Sequence, residues 1–146
     1  MIRMKMTRFF FDRKGVRNRV DAATRKVLSR FGAYVRRTAR SSIRKRKKPS
    51  RPGRPPSSHT GLLKRFIFFG YDLSRKSVVI GPARLSEKGR GEAPSILEYG
   101  GATTVTTRGR KKKRKRSRIR ARPFMGPAFE QERLKLPAMW AASIKR

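Results

Sequence analysis

Between Arg13 and Ile43 the apolar or small residues Val16, Val20, Ala23, Val27, Phe31, Tyr34, Val35, Thr38, Ala39 and Ile43 recur three and four positions apart, and Arg and Lys fill most of the rest. A period near 3.6 sustained this long predicts one long helix with a single apolar face and a cationic back. Gly32 interrupts the face at a cost of about 1 kcal/mol against Ala, which predicts a bend or a close helix contact at that point.

The spacing changes after this helix. Arg44–His59 mixes Arg44, Lys45, Arg46, Lys47, Lys48, Arg51 and Arg54 with Pro49, Pro52, Pro55 and Pro56, a composition expected to form a basic loop that neither buries a core nor holds a regular ladder. Thr60–Gly70 turns hydrophobic, and Ser77–Gly81 reads as a strand paired with it across a turn at Asp72–Lys76, giving a β-hairpin. Ala93–Tyr99 reads as a short helix or turn before Gly100-Gly101. Thr103–Thr107 is β-branched throughout and reads as a strand, with Ser117–Arg122 returning antiparallel to it. The cationic stretch Arg108–Arg116 then becomes a hairpin tip, with the basic loop reaching to about residue 118. Pro127–Ile144 carries an imperfect helical pattern (Phe129, Leu134, Leu136, Met139, Trp140, Ile144) that Pro137 is expected to kink or split. The 146 residues are expected to form one α+β domain: a long N-terminal helix, a small antiparallel sheet with basic hairpin loops, and a C-terminal helix.

Charge narrows the partner. Lys and Arg number 42 against 8 acids, a formal net charge of +34, so the self-repulsion of a compact state calls for counterions or a concentrated negative partner. Nucleic acid fits, and lysine and arginine contacts to phosphate imply affinity without base sequence being read. Two readings of the tract around Arg108–Arg120 stay open: phosphate contact through Arg108, Arg110, Lys111, Lys112, Lys113, Arg114, Lys115, Arg116 and Arg118, or a solvated, flexible loop. The same choice holds for Arg44, Lys45, Arg46, Lys47 and Lys48.

Catalytic signals are missing. Without cysteine there are no disulfides or thiolate sites. His59, the sole histidine, has no partner for metal binding or nucleophilic catalysis. Glu130 and Glu132, two positions apart, diverge on a helix and are expected to favour its N-terminus electrostatically. Gly89-Arg90-Gly91 lacks the Gly-Lys-Ser/Thr of a phosphate loop. No catalytic, cofactor or metal residue is expected. No apolar run is long enough to span a membrane, and the N-terminus does not read as a signal peptide.

Two motifs carry a family resemblance. Ile96-Leu97-Glu98-Tyr99-Gly100, followed about twenty residues later by Ala121-Arg122-Pro123-Phe124-Met125-Gly126-Pro127-Ala128-Phe129-Glu130, resembles the head-tail joining or tail-completion family of lambdoid phages. That family has a Glu-Tyr-Gly element before a variable loop and an Arg-Pro-Phe-Leu-x-Pro-Ala-Phe element opening the last helix; this chain has Met125 at the Leu position. The order of long helix, linker, Gly61-Leu62-Leu63, Val-Ile-Gly-Pro strand end and the two motifs also matches. The resemblance implies a tail-terminator-like α+β subunit, assembled as a hexameric ring at the tail end of the virion neck. It would be built in the host cytoplasm and would touch adjacent neck and tail-tube proteins and, non-specifically, phage DNA in the channel. Glu98, Tyr99, Gly100, Arg122, Pro123, Phe124, Pro127 and Phe129 would be its motif and assembly residues. Physically, Pro123 closes a strand, Pro127 suits the first turn of a helix, and Phe124 and Phe129 would pin that joint into the core. Glu98 is expected either to anchor an interface or to pair with an arginine. The competing expectation is a ribosomal or chromatin-like nucleic-acid-binding protein, motivated by charge alone.

Overall fold

The computed structural model describes residues 12–83, 93–107 and 113–144, giving the backbone alone at 105–107, 113 and 144. The first helix, α1, spans Arg13–Ser42, a length of about 45 Å at 1.5 Å per residue. Asp12 caps it, its carboxylate accepting from Gly15 N at 2.8 Å. Val27, Phe31, Val35 and Ala39 follow one another at every fourth position and are buried, and Ile43 continues the row just past the helix end. The stripe goes on toward the N-terminus through Val16 and Val20, which are 46% and 54% exposed.

Two layers cover the buried half of α1. On one side lies a hairpin, β1 (Ile67–Asp72) and β2 (Ser77–Pro82), antiparallel from Ile67↔Pro82 to Asp72↔Ser77. The hairpin approaches α1 closely at Gly32: a Cβ there would stand 2.7 Å from Val78 Cγ2 and 2.9 Å from Phe69 Cδ2. The glycine expected to mark a bend or a close contact therefore marks the contact. The Asp72 carboxylate accepts from Ser74 N and Arg75 N and closes the turn, and Lys76 reaches Asp21 at 2.6 Å, tying the hairpin end to α1. On the other side pack α2 (Met125–Arg133) and α3 (Leu136–Ile144). The C-terminal helical pattern is split, as Pro137 led one to expect: Leu134 and Lys135 form the turn, and Pro137 falls in the first turn of α3, where its missing N–H is tolerated. The core is Phe31, Val35, Ala39, Ile43, Ile67, Phe124 and Ala128, with Leu63, Val78, Ile80, Leu97, Met125, Leu136 and Met139 packed around it.

The mixed helix and strand class agrees with the sequence reading, and three local expectations need correction. Thr60–Gly70 is not one strand: Leu62–Arg65 makes a helical turn, α4, before β1 begins. The basic loop does hold a ladder, since Arg44–Lys45 (β3) pairs in parallel with Ser57–Ser58 (β4), and Pro56 and Ser58 are buried. A composition argument misses this because pairing the two ends of a loop needs only two residues from each. The last hairpin, β5 (Gly101–Thr107) and β6 (Lys113–Ile119), draws Lys113, Arg114, Lys115 and Arg116 into a strand where a loop was expected. The antiparallel register runs from Gly101↔Ile119 to Thr107↔Lys113. Arg108, Arg110, Lys111 and Lys112 lie outside the described residues.

Candidate polyanion interface

The strand β6 starts from a sequence conflict: cations are poor strand formers, yet Lys113–Arg118 pair residue for residue with the β-branched run Thr103–Thr107 and with Ala102. Threonine and valine supply the strand preference, and the partner follows the ladder. The ribbon is about 24 Å long at 3.4 Å per residue. Beyond its own pairing, β5 packs on the short helix α5 (Ala93–Tyr99). Arg114, Lys115, Arg116, Ser117 and Arg118 are all exposed.

Alternation sorts these charges. Arg114, Arg116 and Arg118 share one face, and their register partners Thr106, Thr104 and Ala102 are short residues. Lys115 and Ser117 share the other face, which is closed at the base by half-buried Ile119. None of these basic side chains has a carboxylate partner among the described residues, where the ion pairs are Lys76–Asp21, Arg133–Glu130 and Lys135–Glu132. Same-face side chains on a strand repeat about every 6.8 Å, which matches two steps of about 3.4 Å along one strand of a nucleic-acid duplex. A two-stranded ribbon of this kind also fits the width of a major groove.

The base of the ribbon is fixed by the two family-like motifs, which meet in space. Glu98, near the end of α5, aims its carboxylate at the N-terminus of α2: Oε2 accepts from Phe124 N at 2.8 Å and Met125 N at 3.0 Å, and Oε1 from Gly126 N at 2.7 Å. Among the described residues it has no arginine partner; it caps a helix from another segment. α2 has no side-chain cap of its own and no acid in its first turn, so three orphan N–H groups and the positive end of the helix dipole are answered by this one carboxylate. Gly100, at φ 79°, brings its Cα within reach of Ala121 N and Ile119 O, where a Cβ would stand 3.1–3.2 Å away. Arg122 N donates to Leu97 O at 2.6 Å, locking the segment after β6 to α5.

The other motif residues divide. Phe124 is buried, and half-buried Pro123 precedes it. Phe129, expected in the core, is 41% exposed and meets Phe31 edge-on at 5.7 Å between ring centroids. Pro127 is exposed in the first turn of α2, and Tyr99 is 82% exposed.

The basic loop comes close to the same joint. Arg122 Nε donates to Ser50 O at 3.0 Å and Gly53 N to Ala121 O at 2.9 Å, so the two cationic elements are braced through the strand-to-helix segment. Arg44, Lys45, Arg46, Lys47 and Lys48 are all exposed, and the His59 ring lies against Lys47 O.

Sequence reasoning missed the role of Glu132. It is not at a helix N-terminus but 4% exposed against α1, accepting from Thr38 Oγ1 at 2.7 Å and pairing with Lys135 at 2.8 Å. The Lys135 hydrogen bond, aided by Thr38 and nearby positive charge, outweighs burial and holds its carboxyl below the usual glutamate range. The spacing Glu132–Lys135 was the one available signal. Glu130 pairs with Arg133 at the surface.

Among the described residues, no cluster of three or more His, Asp or Glu could hold a metal, and no helix is long and apolar enough to cross a membrane. Comparison with protein-family models, curated proteins and solved structures finds no match to this chain.

Proposed function

We propose that this chain is a structural virion protein of the neck of a tailed phage, one that completes the tail and joins it to the DNA-filled head as a ring around the DNA channel. The observation that carries this reading is the Glu98 cap. The two motifs behind the resemblance are separated in sequence, and their acid and their Phe-Met-Gly backbone form one joint, as parts of a single assembly signature should. Exposed Tyr99, Phe129 and the Val16–Val20 stripe leave apolar surface for neighbouring subunits or adjacent neck and tail-tube proteins. The Arg114–Arg116–Arg118 row would face DNA phosphates in the channel without reading sequence.

A second reading, a nucleic-acid-binding basic protein outside a virion, is favoured by one observation: both faces of the ribbon carry exposed cations. Sedimenting a lysate of the native source at high salt and locating the chain by mass spectrometry separates the two, because salt releases electrostatic passengers and leaves packed rings intact. Fixed stoichiometry with tails or whole particles is the expected result. Release into light fractions, or retention only with ribosomes, refutes the neck reading.

A further inference from the structure

Between the end of α1 and the basic loop lies an open cavity of about 670 Å³, lined among others by Arg44, Arg46, Arg51, Arg54, Ser50 and Ser57 and, among the described residues, by no acid. We propose that this cavity is a phosphate-binding site for a ligand carrying linked phosphoryl groups, either the backbone of a nucleic-acid strand or a free polyphosphate. The proposal does not depend on the neck reading.

Three observations carry it. First, four arginines line one cavity on the order of 10 Å across, comparable with the Debye length of about 8 Å at physiological salt, so their charges repel one another unless an anion sits between them. None of the four has a carboxylate partner among the described residues. Guanidinium forks match phosphate oxygens in pairs, and the volume lies in the range of small-ligand pockets. Second, Ser50 Oγ is shut off from solvent with no hydrogen-bond partner, although Ser50 lines the cavity. A buried hydroxyl without a partner calls for an acceptor, and a turn of the half-buried Ser50 side chain about its first torsion would offer it a phosphate oxygen in the cavity. Third, the site is preformed. Parallel pairing of Arg44–Lys45 with Ser57–Ser58, the Gly53–Ala121 bond, the Arg122 bond to Ser50 O and four prolines fix the loop before any ligand arrives.

The surroundings favour an anion in two further ways. Ser41 and Ser42 donate their hydroxyl protons to Thr38 O and Ala39 O, covering carbonyls at the negative end of α1 that would otherwise oppose it. Among the described residues no aromatic ring lines the cavity, so a base finds no ring there to stack on and the phosphoryl groups are what is held.

The test titrates sodium tripolyphosphate into the full chain at about 0.15 M salt, a condition that screens diffuse attraction. Wild type is compared with Arg51→Gln/Arg54→Gln, with Ser50→Ala, and with the ribbon variant Arg114→Gln/Arg116→Gln, which removes the same charge elsewhere. One ligand per chain is expected, with affinity about tenfold or more weaker in the pocket double variant, measurably weaker in Ser50→Ala, and within about twofold of wild type in the ribbon variant. Equal weakening in the pocket and ribbon variants, or none in the pocket variant, overturns the site. The arginines are exposed and Ser50→Ala deletes a single hydroxyl, so unchanged far-UV dichroism is expected to accompany these results. A labelled oligonucleotide then tells the sources apart. Displacement by tripolyphosphate, lost in the pocket variant, identifies backbone phosphate as the occupant; simultaneous binding identifies a free polyphosphate, and either supports the site.

Discussion

Replacing Glu98 by alanine removes three charge-assisted hydrogen bonds of 2.7–3.0 Å at one helix end. Bonds to charged groups contribute about 1.5–3 kcal/mol each, but a simple sum overstates the loss, because water can replace the acceptor wherever it can reach. The Gly126 N–H is at an exposed contact and rehydrates, whereas those of Phe124 and Met125 are part-buried beside the core phenylalanine. Two partly desolvated donors and the lost charge at the helix terminus together suggest about 3 kcal/mol. For a chain of this size that lowers the Tm by about 6–12 °C. Glu98→Gln keeps one acceptor oxygen and turns an NH2 group toward a donor, so it should fall between wild type and alanine. Urea unfolding followed by far-UV dichroism measures both. An alanine variant within about 0.5 kcal/mol of wild type at an unchanged m-value refutes the cap as a stabilising element.

Gly32→Val forces side-chain atoms into Val78 and Phe69, and overpacking of about 1–3 kcal/mol should exceed the gain of up to about 1 kcal/mol in helix propensity; a stability equal to wild type in the same urea assay contradicts the close contact. Glu132 has a folded-state pKa below its unfolded value, so its contribution is present above the unfolded pKa, about 4.3, and is lost as pH falls through the folded pKa. Glu132→Gln should therefore be less stable than wild type at neutral pH and lose this difference in acid, and a gap independent of pH by thermal melts argues against it. Replacing Arg114, Arg116 and Arg118 by Gln should lower the log–log salt slope of duplex binding by about two to three, as three phosphate contacts on one face require. An unchanged slope in fluorescence anisotropy places the DNA contacts elsewhere.

Much of the framework could be read from residue order. The α1 stripe, the Asp72–Lys76 turn and the threonine-rich strand were legible because each is set by periodicity or by local turn and strand preference. The extent of the basic tip was not. Lys113–Arg116 have the composition of a loop, and only the ladder with residues 104–107 makes them a strand. The pairing of Arg44–Lys45 with Ser57–Ser58 escaped for the same reason: strand pairing joins residues far apart in the chain and leaves no local trace when each strand is two residues long.

The sequence by itself determined the cationic character, the helical spine and the order of elements, since these depend on each residue and its near neighbours. Tertiary structure decided the roles of the few acids and hydroxyls. Glu98 faces the α2 terminus across a separation of 26–28 residues, Glu132 meets Thr38 across 94, and Ser50 is fixed through Arg122 across 72. A carboxylate among so many arginines looks from the sequence like one half of a salt bridge. Which positive group it answers is settled by what packing brings within about 3 Å, and for Glu98 that is the N-terminus of a helix.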